Sequence, residues 1–360
     1  MAAPRTSVVA PWVPCRRWRC AWPLSAALAC TVSGHAELEV SATDVASTDD
    51  GSDATQGESA SHGGSMSASA ADGDSSQGDG GDASADSSTG EGNDTDPPPE
   101  WLGASMGCGG QPGSILDGVI DVGGVAREYI IELPTDYDPT RAYPLVFGFH
   151  GLTENMSTSQ SRFRVQQEWD GEAIAIYPNG RILAQFGGVS GFEYGNPNSA
   201  DVDMFDVLAN TAANQLCVDL DRLFVMGFSD GGYFTHSLMC YRGAYVRAAA
   251  LGGAGLGGTS AQPENCHGPV PAWTMHATND EIVPFVNGEA VRDFWRAEDG
   301  CGTDTTPISP TDRCVEYQGC TGENQLVWCE SDQGHWWVED WASPAAAEFL
   351  QRFSSPNSPD

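Results

Sequence analysis

Short apolar runs recur through the second half of the chain, and they lack the alternation of apolar and polar residues that is typical of a half-buried strand. Runs of this kind predict strands that are covered on both faces, as in parallel sheets. The six runs are YPLVFGF, AIAIYP, RLFVMGF, VRAAALGG, PAWTMHA and NQLVWCE. They predict a mostly parallel central sheet.

Helical patterns lie between several of these runs. The clearest is at residues 202–217, where one apolar stripe recurs at spacings of three and four: Phe205, Leu208, Ala212 and Leu216. Helices are also predicted for YFTHSLMC, GEAVRDFWRAE and SPAAAEFLQRF. Alternating strands and helices predict an α/β fold with helices on both faces of the sheet, and reactive residues on loops at the carboxyl ends of the strands.

A different pattern precedes the buried strands. The segment GVIDVGGVAREYIIELP alternates apolar and polar residues on either side of Gly123 and Gly124. Two alternating runs joined by two glycines indicate a β-hairpin. We expect this hairpin at one edge of the sheet.

Composition divides the chain into three parts. Residues 1–30 contain four arginines and no acidic residue, and they end in a small-residue run typical of an export signal, with either cleavage after Ala29 or lipidation at Cys30. Residues 31–100 contain sixteen acidic residues and almost no large apolar ones, which predicts a disordered tether. Residues 101–360 form the one predicted folded domain.

The domain is strongly acidic. Residues 101–360 carry 34 acidic residues against 12 arginines, a net charge of −22, and no lysine. Such a surface disfavours nucleic acid and anionic lipid as partners and suits a neutral substrate, although solubility alone also accounts for it. We expect a monomer.

Eight cysteines lie in the domain, at positions 108, 217, 240, 266, 301, 314, 320 and 329. An even number downstream of an export signal predicts disulfides, and the spacings lack the paired Cys-x-x-Cys of a zinc site. We therefore expect no metal, and no other cofactor. Cys240 with Cys266 and Cys320 with Cys329 are the two pairings we expect, with the full pairing left open.

The pattern Gly-x-Ser-x-Gly occurs twice, around Ser105 and around Ser229. Only Ser229 follows a strand-like run and precedes a helix-like one. A sharp strand-to-helix turn holds a nucleophile in strained backbone, where glycines two residues before and after it avoid collision. Ser229 is therefore predicted to be a nucleophile rather than part of an ordinary tight turn.

A serine nucleophile needs a histidine base, which an acid holds in one tautomer. Asp280 follows the run PAWTMHA, and His335 follows the run NQLVWCE beside Gly334. The chain order serine, aspartate, histidine is that of α/β-hydrolases. Glu281 and Asp299 remain alternative acids, and the other histidines have structural explanations.

An ester hydrolase also needs two backbone amides for the developing oxyanion. Asp230 supplies one by its position after Ser229. Gly151 in FGFHGLTEN lets the chain turn and leaves the amide of Leu152 or Thr153 free, of which Leu152 is preferred. The side chain of Asp230 is expected to face solvent, because a carboxylate is unfavourable beside an oxyanion.

The assembled motifs resemble carbohydrate esterase family 1, which includes feruloyl esterases and polyhydroxybutyrate depolymerase-like esterases. The resemblance covers about residues 105–350 and rests on GCGG, YPLVFGFHGLTEN, FVMGFSDGG, MHATNDEIVPF and LVWCESDQGH. It implies an α/β-hydrolase fold and a catalytic triad of Ser229, Asp280 and His335. Its ordered cysteines are most similar to those of the feruloyl esterase branch.

We therefore predict an exported serine carboxylesterase acting on feruloyl or acetyl esters of polysaccharide. Thr153, Trp336 and Trp337 are expected to contact substrate. For each tryptophan, the alternative is burial under the last helix. A polyhydroxybutyrate depolymerase is the alternative within the same chemistry. A binding lipoprotein on an inactive hydrolase scaffold is the alternative outside it.

Overall fold

The computed structural model describes residues 103–258, 266–308 and 313–353. The expected export signal at 1–30, with its possible lipid anchor at Cys30, and the expected tether at 31–100 lie outside the described residues. Within the three described ranges, every helix is too short or too polar to cross a membrane.

The sheet holds ten strands within the described residues, in the order β1-β2-β4-β3-β7-β8-β9-β12-β11-β10. A separate two-stranded hairpin consists of β5 and β6. The strands are β1 (Val119–Val122), β2 (Val125–Glu132), β3 (Tyr143–Phe149), β4 (Ile174–Pro178), β5 (Arg181–Leu183), β6 (Val189–Gly191), β7 (Val218–Phe228), β8 (Ala248–Gly252), β9 (Ala272–Ala277), β10 (Thr305–Ile308), β11 (Cys314–Tyr317) and β12 (Leu326–Ser331).

The six apolar runs form the six central strands, and these pair in parallel from β4 to β12. β1 and β2 form the predicted edge hairpin, which turns at Gly123 and Gly124 with φ of 61° and 88°. A second antiparallel pair, β10 and β11, extends the opposite edge beyond β12. The prediction of a mostly parallel sheet with an edge hairpin is confirmed.

Helices cover both faces of this sheet. They are α1 (Met156–Phe163), α2 (Val165–Glu168), α3 (Ala200–Gln215), α4 (Asp230–Arg242), α5 (Phe285–Glu298) and α6 (Glu339–Gln351). Buried residues of α3, α4 and α5 share one core, and those of α1, α2 and α6 share the other. The arrangement is that of an α/β-hydrolase.

Helix α3 begins and ends earlier than its apolar stripe predicts. Ser199 caps it by accepting the Val202 amide at 3.2 Å, so the helix begins at Ala200. Leu216 is extended, with φ of −128°, and leads into β7. Leu216 nevertheless stays fully buried with the other residues of the stripe.

Four disulfides join the eight domain cysteines: Cys108–Cys217, Cys240–Cys266, Cys301–Cys320 and Cys314–Cys329. The pairing of Cys240 with Cys266 is confirmed. The pairing of Cys320 with Cys329 is wrong, because β11 places Cys314 directly opposite Cys329 on β12.

Candidate active site

Ser229 occupies the turn between β7 and α4. Its backbone has φ of 56° and ψ of −122°, a region that costs free energy for a residue with a side chain. The Ser229 amide donates to the carbonyl of Gly252 on β8 at 2.9 Å, which helps hold this conformation. The turn therefore presents the Ser229 hydroxyl at the carboxyl end of the central strands.

The flanking glycines are sterically required. A Cβ on Gly227 would overlap the carbonyl oxygen of Gly231, and a Cβ on Gly231 would overlap the carbonyl oxygen of Phe149. The close crossing of strand and helix excludes any side chain at either position. The pattern around Ser229 is thus a consequence of backbone packing.

The second copy of the pattern has a different environment. Ser105 is buried, its hydroxyl donates to the Leu216 carbonyl at 2.7 Å, and it accepts the Val218 amide at 2.9 Å. These two bonds join the start of the domain to the beginning of β7. Ser105 therefore has a structural role.

The three predicted residues Ser229, Asp280 and His335 meet in space. His335 Nε2 lies 2.8 Å from Ser229 Oγ, and His335 Nδ1 lies 2.7 Å from Asp280 Oδ2. Because Nδ1–H donates to the carboxylate, the Nε2 lone pair is directed at the serine hydroxyl. This is the arrangement in which a histidine removes a proton from serine.

Asp280 is fixed by its own loop. Its Oδ1 accepts the amides of Ile282 at 2.9 Å and Val283 at 2.8 Å, which leaves Oδ2 for His335. The neighbouring Glu281 is exposed. The alternative acid Asp299 lies fully buried after α5.

The acid loop and the histidine loop are bonded to each other. The side chain of Asn279 accepts the Gly334 amide at 2.8 Å and donates to the Asp332 carbonyl at 2.9 Å. The ring of His335 also packs against Phe228, with centroids 5.0 Å apart. These contacts hold His335 between Asp280 and the end of β7.

Two further histidines brace the loops of the site, as the sequence suggests. His276 Nε2 donates to the Val283 carbonyl at 2.8 Å, and burial lowers the pKa of its imidazole. His150 accepts the Gly180 amide at Nε2 at 2.8 Å, so its Nδ1–H donates to the Gly151 carbonyl at 2.7 Å. Burial lowers the pKa of His150 as well, which favours this neutral form.

The candidate oxyanion donors lie beside Ser229. Gly151 packs against it, since a Cβ on Gly151 would lie 3.3 Å from Ser229 Cβ. The Thr153 amide donates to the Ser190 carbonyl at 2.8 Å, whereas the Leu152 amide has no protein acceptor among the described residues. The Asp230 amide begins α4 and therefore has no acceptor within the helix.

Curated relatives identify the family. The chain is 32% identical over 241 residues to the probable feruloyl esterase C of Aspergillus clavatus, covering 64% of this chain and 82% of that one. It is 30% identical over 244 residues to feruloyl esterase C of Emericella nidulans, covering 64% and 83%. The chain belongs to the feruloyl esterase family. It is accordingly a carboxylic ester hydrolase.

Two other comparisons place limits on this likeness. A solved ferulic acid esterase structure has 16% sequence identity and a TM-score of 0.48, over 66% of this esterase and 96% of that chain. No protein-family model matches this esterase. Family membership therefore rests on the curated relatives.

The side chain of Asp230 departs from the sequence-based expectation. It does not face solvent: Asp230 is buried, and its Oδ2 accepts the Phe192 amide at 2.7 Å. Burial raises the pKa of this carboxyl to about 7, against the opposing effect of the Phe192 amide. The expectation is wrong because β6 ends close enough to cover the first residue of α4.

The residues expected to contact substrate differ in their exposure to solvent in this esterase. Trp337 is fully buried against Phe163 and Trp273, and its indole Nε1 donates to Ser343 at 3.0 Å, so a substrate contact by Trp337 is wrong. Trp336 is 53% exposed beside His335. Thr153 is also exposed.

Three aromatic rings near Ser229 were missed by the sequence analysis. Tyr233 stacks on Tyr194 with centroids 4.8 Å apart, and Phe186 stacks on Tyr194 at 6.1 Å. Tyr233 lies one helical turn after Ser229, and its amide donates to the Ser229 carbonyl at 3.0 Å. The four-residue spacing in the sequence is the signal that places Tyr233 beside Ser229.

Across the described ranges, no cluster of three or more His, Cys, Asp or Glu side chains is suited to hold a metal ion.

Proposed function

We propose that this esterase hydrolyses carboxylic esters through an acyl-enzyme on Ser229. The observation that carries the proposal is the continuous hydrogen-bonded chain from Ser229 Oγ through His335 to Asp280, at 2.8 and 2.7 Å. The strained backbone of Ser229 supports the same role, because strain of this kind is concentrated at functional sites.

In the first half of the reaction, Ser229 Oγ attacks the ester carbonyl carbon while His335 Nε2 takes the hydroxyl proton. The amides of Leu152 and Asp230 bind the resulting oxyanion. When the tetrahedral intermediate collapses, the carbon–oxygen bond to the alcohol breaks, and that oxygen takes the proton from His335. Asp280 holds the imidazole in its active tautomer and stabilises the imidazolium.

In the second half, His335 removes a proton from a water molecule that attacks the acyl carbonyl carbon. The second tetrahedral intermediate expels Ser229 Oγ, which recovers its proton from His335. The products are a free carboxylic acid and the regenerated enzyme. The pathway needs no redox partner and no cofactor.

The substrates we propose are feruloyl or acetyl esters on polysaccharide, and the names of the curated relatives support the feruloyl group. Two aromatic surfaces adjoin the triad residues: Trp336 is exposed next to His335, and Tyr233, one turn after Ser229, stacks on Tyr194. Flat rings of this kind suit a phenolic acyl group or a sugar. The four disulfides also fit an exported protein, which we propose together with the substrate.

A substrate panel tests this proposal. Purified protein is assayed side by side on methyl ferulate, acetylated xylan and hydroxybutyrate oligomers, with Ser229→Ala as the inactive control. We expect turnover of at least one polysaccharide-type ester by the wild type and none above background by the variant. A kcat/KM for the oligomers about tenfold above both others, equivalent to about 1.4 kcal/mol, would contradict the substrate assignment.

A further inference from the structure

The carboxyl group of Asp230 has no assigned role in the pathway above, although it lies buried one residue from the nucleophile. Its Oδ2 accepts the Phe192 amide at 2.7 Å. Gly191 makes room for this contact, because a Cβ there would lie 2.8 Å from Asp230 Oδ2 and 2.8 Å from Leu152 Cδ1. The end of β6 is therefore packed against both candidate oxyanion donors.

The same short segment also holds the other donor loop. The Ser190 carbonyl accepts the Thr153 amide at 2.8 Å. Residues Ser190–Phe192, which we name the β6 strut, thus bond to the residue after Leu152 at one end and to the Asp230 side chain at the other. The two amides that would share one oxyanion are connected through three residues.

The Leu152 loop is fixed on its other side as well. His150 Nδ1 donates to the Gly151 carbonyl at 2.7 Å, and the Gly151 amide donates to Glu154 at 2.7 Å. Both backbone polar groups of Gly151 thereby have hydrogen-bond partners, and the Gly151–Leu152 peptide is held in one orientation. The β6 strut is then the element that sets this loop relative to the first turn of α4.

We propose that Asp230 is a positioning residue that, by accepting the Phe192 amide, sets the β6 strut and with it the relative placement of the Leu152 and Asp230 amides around the oxyanion. The proposal rests on the catalytic function proposed for Ser229. It assigns to the Asp230 side chain a role that is separate from the amide of the same residue.

The Asp230 carboxyl group can also ionise, so its charge can change with pH. The groups that face it are Asp201 on α3, which is ion-paired with Arg127 at 2.7 Å and Arg181 at 3.0 Å, and the hydroxyl-bearing rings of Tyr194 and Tyr233. Burial and the Asp201 charge raise the pKa of Asp230 to about 7.

Protonation changes the charge of Asp230 without breaking the strut. A proton on Oδ1 leaves Oδ2 as the acceptor of the Phe192 amide. The ionised form places a negative charge beside the developing oxyanion and so opposes it. The neutral form is therefore the more active one, and activity declines as Asp230 ionises above pH 7.

Two substitutions at one position separate the contact from the charge. Asp230→Asn keeps an oxygen for the Phe192 amide and has no charge, whereas Asp230→Ala removes the acceptor. Asp299→Asn is the matched control, since Asp299 is another fully buried aspartate with a raised pKa, outside the site. kcat and KM for p-nitrophenyl acetate are measured from pH 5 to pH 9, with thermal melting to verify folding.

We expect Asp230→Ala to lower kcat about tenfold or more with little change in KM. Complete loss of one oxyanion donor lowers kcat by about 10²-fold or more, and a misplaced donor loses part of that. Asp230→Asn should retain kcat at pH 6 and lose the alkaline decline of the wild type. Asp299→Asn should keep the wild-type pH profile of kcat.

Three results would overturn the proposal: a wild-type kcat in Asp230→Ala, an equal loss of kcat in both Asp230 variants, or an alkaline decline retained by Asp230→Asn. If Asp230→Ala does not fold, Gly191→Ala displaces the strut by placing a Cβ 2.8 Å from Asp230 Oδ2 and from Leu152 Cδ1, and is expected to lower kcat. An inactive wild-type protein would instead refute the proposed function.

Discussion

Ser105 and Ser229 occupy the same five-residue pattern, and the structure gives them opposite environments. Ser105 is buried, and its hydroxyl both donates and accepts a backbone hydrogen bond. Ser229 has strained backbone and a hydroxyl whose bond is to a histidine. The motif alone therefore does not decide the environment of its serine; of the two copies, the one around Ser229 lies at a strand-to-helix turn beside a histidine.

Replacing Ser229 should have the largest effect on activity. We expect Ser229→Ala to lower kcat by about 10⁴-fold to 10⁶-fold, because the variant lacks the hydroxyl that we propose attacks the ester carbonyl carbon. The thermal melting temperature should stay at or above that of the wild type, since the variant removes a group whose one hydrogen bond among the described residues is to His335. Residual kcat within tenfold of the wild type would contradict the nucleophile assignment.

Asp280→Asn tests the acid in the hydrogen-bonded chain that runs from Ser229 through His335. The amide cannot hold His335 in the tautomer that leaves Nε2 free, so kcat should fall about 10⁴-fold with KM little changed. Glu281→Gln is the matched control, because it makes the same chemical change on the exposed neighbour. Equal losses in the two variants would mean that Asp280 is not the partner of His335.

Asp299 extends the comparison to a buried polar group that the reaction does not use. Burial raises the pKa of its carboxyl to about 9, despite the nearby amide of Val270. The unfolded chain binds a proton at this group only below a pH of about 3.9, so the folded state holds one more proton between these values. The free energy of unfolding should therefore fall as pH rises, by about 1.4 kcal/mol per unit at most.

Asp299→Asn should flatten this dependence between pH 5 and pH 8. The measurement is urea unfolding at several pH values, with the half-exposed Asp293→Asn as the control that retains the slope. Parallel slopes for Asp299→Asn and the wild type would show that Asp299 ionises normally in the folded protein.

Ser105→Ala should change stability and leave catalysis intact, the reverse of Ser229→Ala. Removal of the hydroxyl leaves the buried Val218 amide without its acceptor, which costs about 1 to 3 kcal/mol in the free energy of unfolding. The kcat for p-nitrophenyl acetate should equal that of the wild type. A large loss of kcat with unchanged stability would remove the contrast between the two serines.

Substitutions in the stacked pair Tyr194 and Tyr233 should have the smallest effect on activity. Tyr194→Leu is expected to lower kcat/KM for methyl ferulate about two- to tenfold, because ring stacking contributes about 0.5 to 1.5 kcal/mol beyond buried area. Trp336→Leu tests the exposed ring beside His335 in the same assay. A loss confined to Trp336→Leu would assign the phenolic ring to that side of the site.

Much of the fold follows from local pattern. Each apolar run of the sequence forms a central strand, because residues buried on both faces of a parallel sheet need no polar alternation. The pair β10 and β11 was not predicted, since its mostly exposed or half-buried residues carry no apolar signal. The meeting of Ser229, Asp280 and His335 was predicted from their places after strands.

By itself, the sequence determined what short-range sterics and burial impose: the six central strands, the edge hairpin, four of the helices, and the glycines that permit the Ser229 turn. Tertiary structure decided which cysteines pair across β11 and β12, that Trp337 is buried, and that Asp230 lies under β6 rather than in solvent. The physical reason is distance along the chain. Phe192 and Asp230 are 38 residues apart, and their contact depends on how several strands and helices pack. No local sequence pattern encodes such a contact.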